Sequence, residues 1–179
     1  MPPRLPTMRH TKLVKAVAVV VVLFAVSIVA SFSAKATPPS NIAFTPVGRA
    51  TVPEFDVKRK DKVADFEIRL EAPQAIDIVT QIVTFQPGGY SGWHTHPGPV
   101  YFTVKTGTLT VYEGDDPTCT AMSFPAGTGA VEAGSSSHLH FVRNETNSVA
   151  EAVVTYMVPV GTTQAQLRSD RGNPGNCSF

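Results

Sequence analysis

Tryptophan occurs once in the 179 residues, cysteine only twice, and charged residues make up just 16% of the chain. Neither sign of charge dominates, with 15 basic residues against 14 acidic ones and a net charge of +1. A chain without a basic excess lacks what a phosphate backbone binds, so no nucleic-acid partner is expected. Acidic residues are missing altogether from the first 36 positions, which hold five of the 15 basic ones: Arg4, Arg9, Lys12, Lys15 and Lys35. From Thr37 onward, 10 basic residues therefore stand against 14 acidic ones, a net of −4, which argues against an anionic membrane surface as the working partner. Also absent are a Gly-x-Ser-x-Gly elbow, a P-loop and a GxGxxG fingerprint, which removes the nucleophile and phosphate cradles those motifs supply. No segment after residue 36 repeats its apolar residues every 3.6 positions, so a helical architecture is not expected there. An apolar share of 42% is too high for a disordered chain, and at roughly 150 residues per domain the length suits one folded unit.

What is present begins with an address. Arg4, Arg9, Lys12 and Lys15 form a positive start, residues 16–32 are uncharged and strongly apolar, and Ala34-Lys35-Ala36 has the small-x-small form of a signal-peptidase site. Residues 1–36 therefore read as a signal peptide cut after Ala36. The rival reading is an uncleaved membrane anchor through residues 16–32, a run at the short end for a span. Either way the remainder is exported. The absence of a cysteine close behind the apolar run excludes a lipoprotein anchor, and the absence of a twin-arginine pair favours Sec-type export. Export makes Cys119 and Cys177 a disulfide rather than a metal pair, with two unpaired thiols as the alternative. The bridge would pin a C-terminal tail, residues 161–179, to the body.

The body reads as all-β. Residues 37–62, rich in Pro, Ser and Thr at their start, suit an extended arm or linker. The segment 63–160 reads as a barrel of about eight short strands. Residues 65–70 alternate with period two, residues 76–85 are β-branched and aromatic, and Lys105-Thr106-Gly107 separates two strands as a tight turn. Further strands are expected near residues 121–124, 129–131, 138–142 and 153–158.

The chemistry lies in the histidines. His10 belongs to the leader; the other four are His94, His96, His138 and His140, two H-x-H pairs. A strand turns residues i and i+2 to one face, so each pair can aim two imidazoles at one point. Neutral imidazole is the commonest metal ligand near neutral pH. The two pairs together point to a shared metal site.

At these residues the chain resembles the cupin family. Gly88-(x5)-His94-x-His96, followed by Val100 and Gly107, is similar to the first cupin motif, with Val100 where the family carries a glutamate (Tyr101 with the longer spacing). Gly129-(x5)-Ser135-x-Ser137-(x2)-His140-(x3)-Asn144 resembles the second motif, with serines in place of its proline and glycine. The resemblance implies a jelly-roll barrel holding a metal on His94, His96 and His140. It also leaves the usual fourth ligand missing, since a valine side chain cannot coordinate. His138 is a candidate replacement, and a plain three-imidazole site is the alternative. An all-imidazole set suits a divalent transition metal (Fe, Zn, Cu, Ni or Mn) better than Mg or Ca.

Trp93, Val100 and Asn144 are candidates to line the pocket. Tyr101 and Glu132 are the candidates for an acid or base once the motif glutamate is lost. The expected function is an exported metal-binding cupin, acting as a metal-dependent enzyme of oxygenase or isomerase type on a small molecule. The alternative is a non-catalytic barrel that binds a small ligand or metal. A homodimer is a further expectation of the resemblance.

Overall fold

The computed structural model describes residues 35–179 except Val63 and Ser136; the leader, residues 1–34, lies outside the described residues. Twelve strands and one short 3-10 helix follow one another: β1 (Ser40–Val52), β2 (Phe55–Asp61), β3 (Phe66–Ala72), β4 (Ile76–Tyr90), β5 (His94–Thr95), β6 (Val100–Thr106), β7 (Thr108–Glu113), β8 (Met122–Pro125), β9 (Gly129–Glu132), β10 (His140–Arg143), β11 (Ala150–Pro159), the helix Gln164–Gln166, and β12 (Ser169–Asp170). No helix among the described residues is long and apolar enough to cross a membrane.

Ten strands wrap into a nearly closed antiparallel barrel made of two halves. One half runs β9-β6-β11-β4-β1, and the other runs β8-β7-β10-β5-β12. The halves join where Tyr90, at the end of the long strand β4, pairs with Arg143 of β10. Gly107 makes the β6–β7 turn possible: its φ is +75°, and a Cβ there would collide with Ala150 and the Val149 carbonyl.

Alternation along the strands fills the barrel. Val83 and Phe85 of β4 point inward with Phe102 and Val104 of β6 and Ala150 and Ala152 of β11, and they meet Leu109 and Val111 of β7. Trp93, Tyr112 and Phe141 form a second cluster at the side, against Cys177.

Three segments depart from the expected outline. The arm or linker assigned to residues 37–62 contains β1, which pairs with β4 from Ile42 to Val52 and closes one edge of the barrel. Alternate β1 residues Ile42 and Phe44 reach the interior, which a linker would not. Secondly, β2 and β3 pair with each other in a separate two-stranded ribbon and take no part in the barrel, so the described barrel strands after β1 begin with β4. Thirdly, β10 starts at His140 and not at residue 138.

The C-terminal tail returns to the barrel. Cys119 and Cys177 are joined in a disulfide with Cα atoms 5.3 Å apart. Further up the tail, β12 pairs with β5, so that Asp170 lies opposite His94. Thr37 is held there too: its N–H donates to the Arg171 carbonyl at 2.9 Å, and its hydroxyl accepts from the Trp93 N–H at 2.7 Å.

Candidate metal centre

His94 and His140 are direct partners across the β5–β10 ladder, which turns both rings to the same side. His96 follows β5 by one residue and returns to that side. The result is three buried imidazoles whose ligating nitrogens all lie within 4.8 Å of one another. Ring centroids are 4.7 Å apart for His94 and His96, 4.3 Å for His94 and His140, and 5.1 Å for His96 and His140.

Hydrogen bonds behind the rings set which nitrogen faces the centre. His94 Nδ1 lies 2.9 Å from the Gly92 carbonyl, and His96 Nδ1 lies 2.7 Å from the Leu167 carbonyl. A carbonyl oxygen can only accept, so both Nδ1 atoms carry a proton and both rings turn Nε2 toward the centre, where the neutral ring holds its lone pair. Gly92 holds its carbonyl in place from a φ of +71°, with the Thr37 carbonyl packed where a side chain would start.

A carboxylate completes the group. Glu132 of β9 is 8% exposed, and its Oε2 lies 3.3 Å from both His96 Nε2 and His140 Nε2. The His140 contact is not aligned as a hydrogen bond, so both nitrogens of this fully buried ring lack a hydrogen-bond partner among the described residues. Buried polar atoms are seldom left so. Burial works to raise the Glu132 carboxyl, but His140 and His96 outweigh it and hold the group ionised, below the usual carboxylate range. Burial, then His140, Arg168 and His96, keep His94 well below its ordinary 6.5, against a smaller opposing effect of the Gly92 carbonyl. A neutral imidazole is the form that ligates. Three imidazoles and one carboxylate gathered at one buried point fit a divalent transition metal.

The cluster opens on a cavity walled by Val83, Phe85, Phe102 and Leu109. Its free space is ≈ 50 Å³ for the centre of a water-sized sphere. A single water needs about 10–15 Å³ by that measure, so the room suits a ligand of a few heavy atoms. Ser91, Tyr156 and Arg168 supply the remaining polar lining.

The other sequence candidates stand outside the three-imidazole cluster, though the His138 ring lies 5.3 Å from that of His140. His138 precedes β10 in a loop, where the i, i+2 rule for strands does not apply. Its ring turns to Glu113, with Nε2 3.6 Å from Oε2, and 27% of the side chain is exposed. Tyr101 is on the opposite face of β6 from Phe102 and away from the cavity, because neighbouring strand residues alternate. Trp93 is fully buried in the side cluster, tilted against Phe141 at 5.4 Å, and does not line the cavity. Val100 is buried among Val79, Tyr156, Val158 and Leu167. Asn144 organises a turn: its Nδ2 donates to the carbonyls of Phe85, Gln86 and Ser148, and its Oδ1 accepts from Thr146.

Sequence reasoning misses Gly92, Leu167, Tyr156 and Arg168. Leu167 acts through a backbone carbonyl, which no side-chain pattern reports. Arg168 comes from the tail, beyond the last expected strand.

The sequence matches the Cupin domain family over residues 81–156. That stretch contains His94, His96, Glu132 and His140. The protein carries a cupin domain. No curated protein sequence matches the chain. Among solved structures, the cupin domain of an XRE family transcriptional regulator from Enterobacter cloacae is similar at 14% identity, with a TM-score of 0.42, 67% of this chain and 99% of that one covered. A cupin superfamily protein from Desulfitobacterium hafniense aligns at 7% identity and TM-score 0.44, over 69% and 83% of the two chains. A recombinant oxalate oxidase in complex with glycolate aligns at 24% identity and TM-score 0.41, over 69% and 54%. Arg168 and the Leu167 carbonyl lie beyond the matched cupin segment.

Proposed function

We propose that this cupin protein is exported and binds one divalent transition metal ion through His94, His96, His140 and Glu132. We further propose that it acts on a small molecule in the adjoining cavity as a metal-dependent enzyme of oxygenase or isomerase type. The observation that carries the reading is the orientation of the donors. Two imidazoles are fixed with their Nε2 atoms inward, a third has no hydrogen bond at either nitrogen among the described residues, and a carboxylate stands 3.3 Å from two of them. A metal held there supplies Lewis acidity and an open coordination position. The chain's own contribution is to keep the ligands oriented, to exclude bulk water with apolar walls, and to limit the ligand's size. Export is supported by the disulfide, since such bonds persist in oxidising compartments.

One observation favours the second reading, a binding module without turnover. The Glu132 carboxylate is engaged by two histidines, and burial raises the Tyr156 hydroxyl, so the cavity offers no free general base. Elemental analysis of the purified protein beside a His94→Ala/His96→Ala variant tests the metal. Near one equivalent in the parent and none in the variant is expected; equal contents, or none in either after reconstitution, would overturn the reading. Turnover of small oxygen-bearing molecules by the loaded protein then separates enzyme from module.

A further inference from the structure

Arg168 and Tyr156 stand where the inner cavity meets the outside. Both line the cavity beside His94 and His96, and both also line a wider outer hollow of ≈ 550 Å³ with Gln81, Gln164 and Asp170.

The hydrogen bonds of each residue leave one donor unassigned. Arg168 Nε donates to Asp170 Oδ1 at 2.8 Å, and its Nη2 donates to the Ser91 carbonyl at 2.6 Å and to Asp170. Nη1 makes no hydrogen bond among the described residues. The guanidinium is therefore fixed along one edge and open along the other. Tyr156 is arranged by a relay of amides. Gln164 Nε2 donates to Gln81 Oε1 at 2.7 Å, which leaves Gln81 Nε2 to donate to the Tyr156 hydroxyl oxygen, also at 2.7 Å. The phenolic proton then has no acceptor among the described residues, in a residue whose side chain borders the cavity. Two donors, one of them cationic, with no acceptor of their own, call for a ligand that brings oxygen acceptors and negative charge.

From this placement we infer that the cavity takes a small carboxylate anion, whose oxygens are recognised by Arg168 Nη1 and the Tyr156 hydroxyl on its way to, or at, the histidine cluster. The inference rests on the proposed metal site for the ligand's far end, but the recognition itself is made by Arg168 and Tyr156. The charges agree. The cavity's one carboxylate, Glu132, is engaged by His96 and His140, and Asp170 lies in the outer hollow, on the side of the guanidinium it already binds. The apolar walls accept the hydrocarbon part, and the ≈ 50 Å³ of free space limits it to a few carbons.

The test titrates acetate and its neutral isostere acetamide into the purified protein loaded with cobalt(II), recording heat and the visible cobalt spectrum. Acetate is expected to bind about tenfold or more tightly than acetamide, the discrimination a charged hydrogen bond supplies. Arg168→Gln should remove that preference while leaving cobalt content and the ligand-free spectrum unchanged. Tyr156→Phe should weaken acetate about fivefold. Asp170→Asn, an exposed substitution that removes the competing carboxylate, should tighten acetate about threefold without affecting acetamide, and it serves if the Arg168 variant fails to fold. Equal binding of acetate and acetamide, or an acetate preference that survives in a folded Arg168→Gln protein, would overturn the inference. Should the protein hold no cobalt, the same titration without metal separates the two ideas. An Arg168-dependent acetate preference would uphold the anion site and discard the metal, and no preference would discard both.

Discussion

Val100 and Glu132 are direct partners across the β6–β9 ladder. The first cupin motif expects a carboxylate at position 100, and the structure supplies one from the facing residue of the neighbouring strand. Val100 packs with Val79, Val158 and Leu167, while Glu132 reaches His96 and His140. The carboxylate beside the imidazoles thus comes from the strand next to the motif position.

In the metal set proposed above, Glu132 is the fourth ligand and His138 takes no part. Glu132→Gln keeps the shape but removes the charge, and should lower metal affinity by about tenfold or more. His138→Ala should leave it unchanged, since that ring pairs with Glu113. Competition against a chelator, read as bound metal, measures both; a reversed order would return the fourth position to His138.

The tail supports the site from outside the matched cupin segment, through the Leu167 carbonyl behind His96. Breaking the 58-residue disulfide loop with Cys119→Ser/Cys177→Ser should cost about 4 kcal/mol of stability by the chain-entropy argument. The same variant should also bind metal more weakly, because the carbonyl that orients His96 loses its anchor. Denaturant unfolding and chelator competition report the two effects separately.

Asn144 belongs to the scaffold alone. The fully buried Asn144 amide donates to the carbonyls of Phe85, Gln86 and Ser148, so Asn144→Ala should destabilise by about 2–4 kcal/mol. Bound metal per folded protein should not change. A loss of metal at unchanged stability would instead make Asn144 a member of the site.

Acid should weaken the metal-free fold in a particular window. His94 is held well below 6.5 when folded, while the unfolded chain takes up that proton near 6.5. The unfolded state thus binds more protons below pH 6.5, and stability falls as pH is lowered from there, by up to about 1.4 kcal/mol per pH unit for this group. Above pH 6.5 the group is neutral in both states and has no effect. Denaturant midpoints between pH 7.5 and 5.5 should show the slope, and His94→Asn should reduce it by one proton.

The leader makes a separate prediction. Cleavage after Ala36 would start the mature chain at Thr37, a residue already bonded to Arg171 and Trp93. Mass spectrometry of the protein produced with its full leader should give the mass of residues 37–179. An intact N-terminus would support the anchor reading.

Much of the fold is legible in the sequence because strands announce themselves locally. Residues 76–85 alternate and are β-branched, and they form the core of β4. The turn at Gly107 and the strands near 122, 129 and 153 follow from the same signals. The ribbon and β1 are less legible. Whether an extended stretch such as residues 40–52 is a free arm or a barrel edge depends on partners 24 to 50 residues further along, and nothing within the stretch names them.

By itself, then, the sequence determines an all-β cupin barrel and three histidines that converge: spacing of two along a strand sets the face, and the two motifs supply both ladders. The tertiary structure alone decides the rest. It puts Glu132 opposite Val100, leaves His138 in a loop, turns Tyr101 to the outer face, and brings Leu167 and Arg168 from the tail against residues 91–96. The physical reason is register. Which residues face each other across a ladder is set by how whole strands pair and by the core they bury together, a long-range outcome that no local pattern of residues encodes.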